Sequence, residues 1–141
     1  MTNNKKRPVS VYALLFFMFI QGISGIAGGY GLVMDPIGEF LQLSVSLLEN
    51  SPFSDYLIPG LILLIVLGIF PLFVFYGLLR KIRMSWYGAA FVGISLIIWI
   101  VVEIIIIGYF PQPPLQLIYG SVGLVILILV SLPSVKRHYL Q

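Results

Sequence analysis

DYLIPGLILLIVLGIFPLFVFYGLLRKIRMSWYGAAFVGISLIIWIVVEIIII, residues Asp55 to Ile107, is the stretch whose reading decides the fold. It holds two apolar runs, Asp55–Leu79 and Ser85–Ile107, parted by a short basic turn from Arg80 to Met84. Each run is long enough to cross about 30 Å of hydrocarbon, which needs about 20 residues in a helix. Neither shows the every-second-residue alternation of a barrel strand, so helices are predicted. A turn this short forces the second run back antiparallel to the first.

Working outward, two more runs fit the same description. Val9–Leu32 precedes the hairpin and Leu115–Leu132 follows it, with Pro133 predicted to end the last helix. The segment 34–54 and the turn Gly108–Pro114, broken by Pro111, Pro113 and Pro114, complete the connections. The expected fold is all-α: an integral membrane four-helix up-down-up-down bundle, a single domain over residues 1–141. Within 34–54, Phe40, Leu41, Leu47 and Leu48 are roughly helically spaced. A short amphipathic helix from Gly38 to Glu49 is predicted, lying over the outer mouth or in the interface. Ser54 or Asp55 is positioned to cap the second span, with Pro59 in its first turn.

Charge orients the bundle. All 8 Lys and Arg fall in three clusters, Lys5-Lys6-Arg7, Arg80-Lys81-Arg83 and Lys136-Arg137. The 5 acids, Asp35, Glu39, Glu49, Asp55 and Glu103, fall in the alternate intervals. Basic residues collect on the cytoplasmic side, so both termini are expected there. Trp86, Tyr87 and Tyr76 then mark the cytoplasmic interface, and Tyr30, Phe53, Tyr56, Tyr109 and Phe110 the outer one. The N-terminal run imitates a signal peptide, but 27 uncharged residues from Pro8 to Met34 exceed the roughly 7–15 residues of a signal core. It is read as a retained span.

Composition closes off several chemistries. Of the chain's 141 residues 60% are hydrophobic and 9% charged, against about 25% charged in a soluble domain. There is no Cys, so disulfides and thiolate chemistry are absent. The only His is His138, in the C-terminal tail, which leaves bis-His haem, zinc and Ser-His-Asp sites unsupported. The pI near 9.3 comes from residues flanking spans. It points to anionic lipid headgroups and not to nucleic acid. No phosphate-binding glycine loop is present. No enzyme activity, metal or cofactor is expected.

Four features could carry more than topology. Gly22, Gly25, Gly28 and Gly29 put a small-residue stripe, including the GxxxG of Gly25 and Gly29, on the first helix. Such stripes let helices pack closely, either within the chain or in a homodimer. Gln21, one turn away on that face, is expected to bond to another helix. Pro71, with Gly68, is expected to kink the second helix. Glu103 is the one ionisable residue well inside a span, roughly 6–8 Å from the outer end by helix rise. Intramembrane acids are functional candidates. No basic residue belongs to the outer half, so Glu103 must be protonated, bonded to neutral donors, solvated, or paired with a ligand or another chain. A polar pocket of Glu103, Tyr119 and Gln116, floored by Trp99, joined by Gln21 and opening outward, is one reading. A Glu that snorkels to the interface is the other. Asp35 and Glu39, four residues apart, fall short of the six or so oxygens a hard cation needs.

The segments Asp35-Pro36-Ile37-Gly38 and Ser51–Leu61, then Trp99-Ile100 with Glu103, then Gln116 with Tyr119 and Gly123, resemble a widespread group of small bacterial four-span membrane proteins. The resemblance covers most of the chain after Gly25, and Ser51–Leu61 is its most specific part. It implies the fold and a bacterial plasma membrane, and it implies no activity. In that group the position of Glu103 is commonly Gln, which favours hydrogen bonding there over proton carriage. The expected function is a non-enzymatic, partner-binding or accessory membrane protein. A transporter, channel or lipid or small-molecule binder using the Glu103 pocket is the alternative. With all basic residues on one side, an antiparallel dimer like that of the small multidrug transporters is disfavoured, and a parallel homo-oligomer is not.

Overall fold

The computed structural model describes residues 7–39, 45–49, 51–109 and 115–141. They form five helices: α1 (Val9–Met34), α2 (Leu57–Leu79), α3 (Met84–Ile107), α4 (Leu115–Ser131) and α5 (Pro133–Leu140). A single 3₁₀ turn, Val45–Leu48, lies between α1 and α2. No strand occurs among the described residues. At 1.5 Å per residue the 26 residues of α1 reach about 39 Å, ample for a bilayer. α2 and α3 also pass on length and apolarity, and α4 with α5 makes a fourth candidate only as a pair bent by 65°. The protein therefore has three or four helices able to cross a membrane. Their outer faces are apolar: Phe73 is 69% and Ile105 76% exposed, as suits a surface solvated by lipid tails.

The helices close a ring in which α1 packs on α2, α2 on α3, α3 on α4, and α4 on α1. Neighbours along the chain run antiparallel, and the glycines show it. Gly22 meets Leu72, Gly25 meets Leu67, Gly29 meets Leu64, and Leu32 meets Gly60, so α1 rises as α2 descends. α3 and α4 repeat the pattern, with Gly93 against Ile126 and Leu127, and Gly123 against Ile97. The buried face of α1 follows helical spacing through Val11, Leu14, Met18, Gln21, Gly25, Gly29 and Leu32. The glycine stripe is thus covered by the chain's own second helix. A methyl at Gly25 would overlap the Leu67 carbonyl, and one at Gly29 the Leu64 backbone. Only glycine permits that approach.

Several expectations change in detail. Gly38 takes φ 84° and Glu39 lies in a turn, so no helix starts at Gly38. Only the 3₁₀ turn at 45–48 is seen, residues 40–44 being outside the described set. Leu48 of that turn packs with Leu32 and Tyr56 as a small cluster at the acidic end. The second helix starts at Leu57, not Asp55, because the Asp55 carboxylate accepts the Leu57 N–H at 3.0 Å. Pro71 acts through a π-helical segment, Ile65–Ile69, that widens α2 just before it.

The C-terminal tail is the largest departure. Pro133 ends α4 as expected, but the chain then folds into α5 across the basic end of the bundle. Val135 is fully buried there beside Val11, Leu14 and Leu78. The Tyr139 hydroxyl donates to the Leu78 carbonyl at 2.9 Å, and Arg7 donates to Leu79. The Arg7 bond serves a carbonyl at the C-terminus of α2, where intrahelical donors run out, and the Tyr139 bond adds to the one the Lys81 N–H gives Leu78 at 3.2 Å. Arg83 in turn caps α5 through the Leu140 carbonyl, and the Ser10 and Ser134 hydroxyls meet at 2.6 Å. Burial pushes the Tyr139 phenol up to about 12, so it stays a donor at any ordinary pH.

Candidate functional site

At the acidic end, α3 stops at Gly108, whose φ of 86° suits glycine and whose N–H closes on the Ile104 carbonyl. Gln116, in the first turn of α4, donates from Nε2 to the Gly108 carbonyl at 2.9 Å. It is almost wholly buried. The same side chain hydrogen-bonds Glu103, and Trp99, four residues earlier on α3, bonds the carboxyl as well. Trp99 has only its indole N–H to offer, so Glu103 accepts there. The result is a clamp: Gln116 ties the end of α3 to the start of α4, and Glu103 is held within it by neutral donors.

Tyr119 and Trp99 pack together against Leu67, Leu96 and Ile100. Tyr119 thus borders the Glu103 cluster from its apolar side. Tyr56, which the sequence marks only as an interfacial aromatic, is buried at this level and close enough to feel the Glu103 charge. Its level was legible, because the start of α2 lies opposite the end of α3 in an antiparallel hairpin. That its ring turns inward was not.

Open space here is apolar. A groove of ≈ 310 Å³ runs between α3 and α4, lined by Ile97, Val101, Ile104, Leu117, Gly120 and Leu124, and it reaches Gln116 and Tyr109 at its top. Glu103, Trp99 and Tyr119 are not among its walls. The polar atoms of Glu103 face protein donors, so the void beside them carries almost no polarity. Glu103→Gln should therefore leave the fold and stability nearly unchanged, since an amide oxygen accepts the same bonds. Glu103→Ala strips an acceptor from buried Gln116 and half-buried Trp99 and should cost about 1–2 kcal/mol in an unfolding titration in detergent. Equal stability of the two variants would show the clamp to be inert.

Gln21 belongs elsewhere. It is 2% exposed, and its Nε2 donates to the Leu67 carbonyl of α2 at 3.0 Å. Leu67 lies four residues before Pro71, which has no N–H to give back to it. Gln21 supplies the donor that Pro71 lacks, and Gly25 opens the room for that carbonyl to lean toward α1. The Oε1 of Gln21 has no partner. Gln21 thus serves the helix joint, apart from Glu103. Among the described residues no three His, Asp or Glu side chains gather as a metal set would. No family model, curated protein or solved structure matches this chain.

Proposed function

We propose that the chain is a non-enzymatic integral membrane protein of a bacterial plasma membrane, acting as an accessory or partner-binding component. It crosses four times, with α4 forming the last crossing, and its basic end and both termini face the cytoplasm. One observation carries the reading. The interior polar side chains Gln21, Trp86, Gln116 and Tyr139 each donate to the chain's own backbone carbonyls. Donors spent this way build a scaffold and leave little for a substrate. What remains for recognition is the apolar outer face of the helices and the charged ends.

The apolar groove between α3 and α4 favours a second reading, a binder of lipid or another hydrophobic small molecule. Native mass spectrometry from membrane mimetics separates the two. A complex with a second polypeptide supports the accessory role. A stoichiometric small molecule on an otherwise bare chain replaces it with the second reading. Orientation is tested independently by C-terminal reporter fusions, expected to be active only on the cytoplasmic side. Activity on the opposite face would overturn the topology.

A further inference from the structure

Among the described residues, no acidic side chain forms an ion pair with the positive charge of the basic end. His138 on α5 has its Nε2 buried and without a hydrogen-bond partner, and its ring stands edge-on to Tyr139 at 4.8 Å. Lys81, in the turn between α2 and α3, and Arg7, just before α1, both press positive charge on it. Lys136 and Arg137 precede it on α5, while Arg80 and Arg83 flank Lys81 in the turn. α4 brings no titratable side chain to this end, and all 5 acidic residues of the chain lie in the segments at or near the other end. Arg7 and Arg83 each give a donor to a helix-end carbonyl, and Arg80 bonds the Tyr76 hydroxyl. Among the described residues Lys81, Lys136 and Arg137 are exposed and have no hydrogen-bond or ion-pair partner. Lys81 also holds φ 57°, a conformation side-chain-bearing residues avoid, in the turn between α2 and α3.

We propose that Lys81 and Arg7, beside His138, form with Lys136 and Arg137 of α5 a seat for the phosphate of an anionic phospholipid headgroup. The inference rests on the membrane-embedded reading, which sets this end at the headgroup level. A phosphate diester carries one negative charge and several acceptor oxygens, which suits a guanidinium and an ammonium side by side. Burial first, then Lys81 and Arg7, hold the imidazole below its ordinary range, so His138 is neutral at pH 7. A seated anion would oppose the charge part of that effect. By linkage, the headgroup raises the His138 midpoint, and protonation of His138 tightens the seat by the same factor. Binding is therefore expected to strengthen as pH falls below the ordinary histidine value of about 6.5.

His138 is the chain's one histidine, so its imidazole NMR signal titrates alone. The probe is the full chain in nanodiscs of phosphatidylcholine, compared with an equal mixture of phosphatidylcholine and phosphatidylglycerol. A diffuse surface potential of about −50 mV in so anionic a bilayer shifts any interfacial group by about 0.8 pH unit. A seated headgroup should add about one unit more, as a nearby opposite charge does. In the Lys81→Gln, Arg137→Gln variant the lipid-dependent rise should shrink to the diffuse part. A wild-type rise of about 0.8 unit or less, or an equal rise in the variant, would overturn the seat. The same rise from inorganic phosphate over phosphatidylcholine alone would overturn the lipid assignment. A nanodisc shows the same lipid on both faces, so the result does not depend on orientation. Failure of the membrane reading would appear separately, as a chain that stays folded and monodisperse without lipid or detergent.

Discussion

Gly25→Ala is expected to cost the bundle about 3 kcal/mol, roughly a hundredfold in its folded fraction. The added methyl falls on the Leu67 carbonyl group, and both are backbone-bound, so neither can swing aside. α1 and α2 must separate along their whole seam, loosening Gly22 from Leu72 and Gly29 from Leu64. The separation also stretches the bond from Gln21 to Leu67. Gly28 supplies the control, since its nearest obstacle is the tip of Leu63 at 3.1 Å, a side chain that can turn. Gly28→Ala should stay within about 0.5 kcal/mol of the parent. Unfolding midpoints in a denaturing detergent titration, followed by far-UV circular dichroism, compare the two. If they lose stability equally, the seam between α1 and α2 does not hold the fold as described.

The second large effect is one of sign. Gln21→Leu alone leaves the Leu67 carbonyl without the donor that Pro71 already denies it, and should destabilise by about 1–2 kcal/mol. Pro71→Ala alone restores a backbone N–H at that position and should allow α2 to tighten toward regular helix. In the double variant the carbonyl regains a partner from its own helix, and the unpartnered Oε1 of Gln21 disappears with the side chain. The double variant should therefore stand close to the parent, or above it, because no buried polar group is left without a partner. A double-mutant cycle should give a coupling of about 1 kcal/mol. Additive losses would mean that Gln21 and Pro71 act independently, and that the widened turn Ile65–Ile69 has another cause.

The long apolar helices and their hairpin order were legible because they depend on features local in sequence. Apolar run length marks the helices, and Arg80–Met84 and Gly108–Pro114 mark the turns. The clustering of 8 basic residues adds an orientation that the geometry of the bundle does not address. The glycine stripe was legible as a close-packing face but not as to its partner. The absence of basic residues in its half left neutral donors as one of several options for Glu103. Gln116 was placed beside it by helix level and Trp99 by one-turn spacing on the same helix. The inward turn of Tyr56 and the separate post of Gln21 were not legible.

The sequence by itself determined that this chain is helical, that its long helices are apolar enough to cross a membrane, and where α1 to α4 begin and end to within a turn. These follow from hydropathy, proline and charge, which act residue by residue on the exchange between water and hydrocarbon. Only the tertiary structure decided that Gly25 and Gly29 serve α2, that Gln21 serves the carbonyl freed by Pro71, and that the basic tail folds back as α5. Those outcomes depend on which faces meet. In lipid, helices gain little from burying one apolar face over another, so the choice falls to close backbone contacts and to a few hydrogen bonds between residues far apart in the chain.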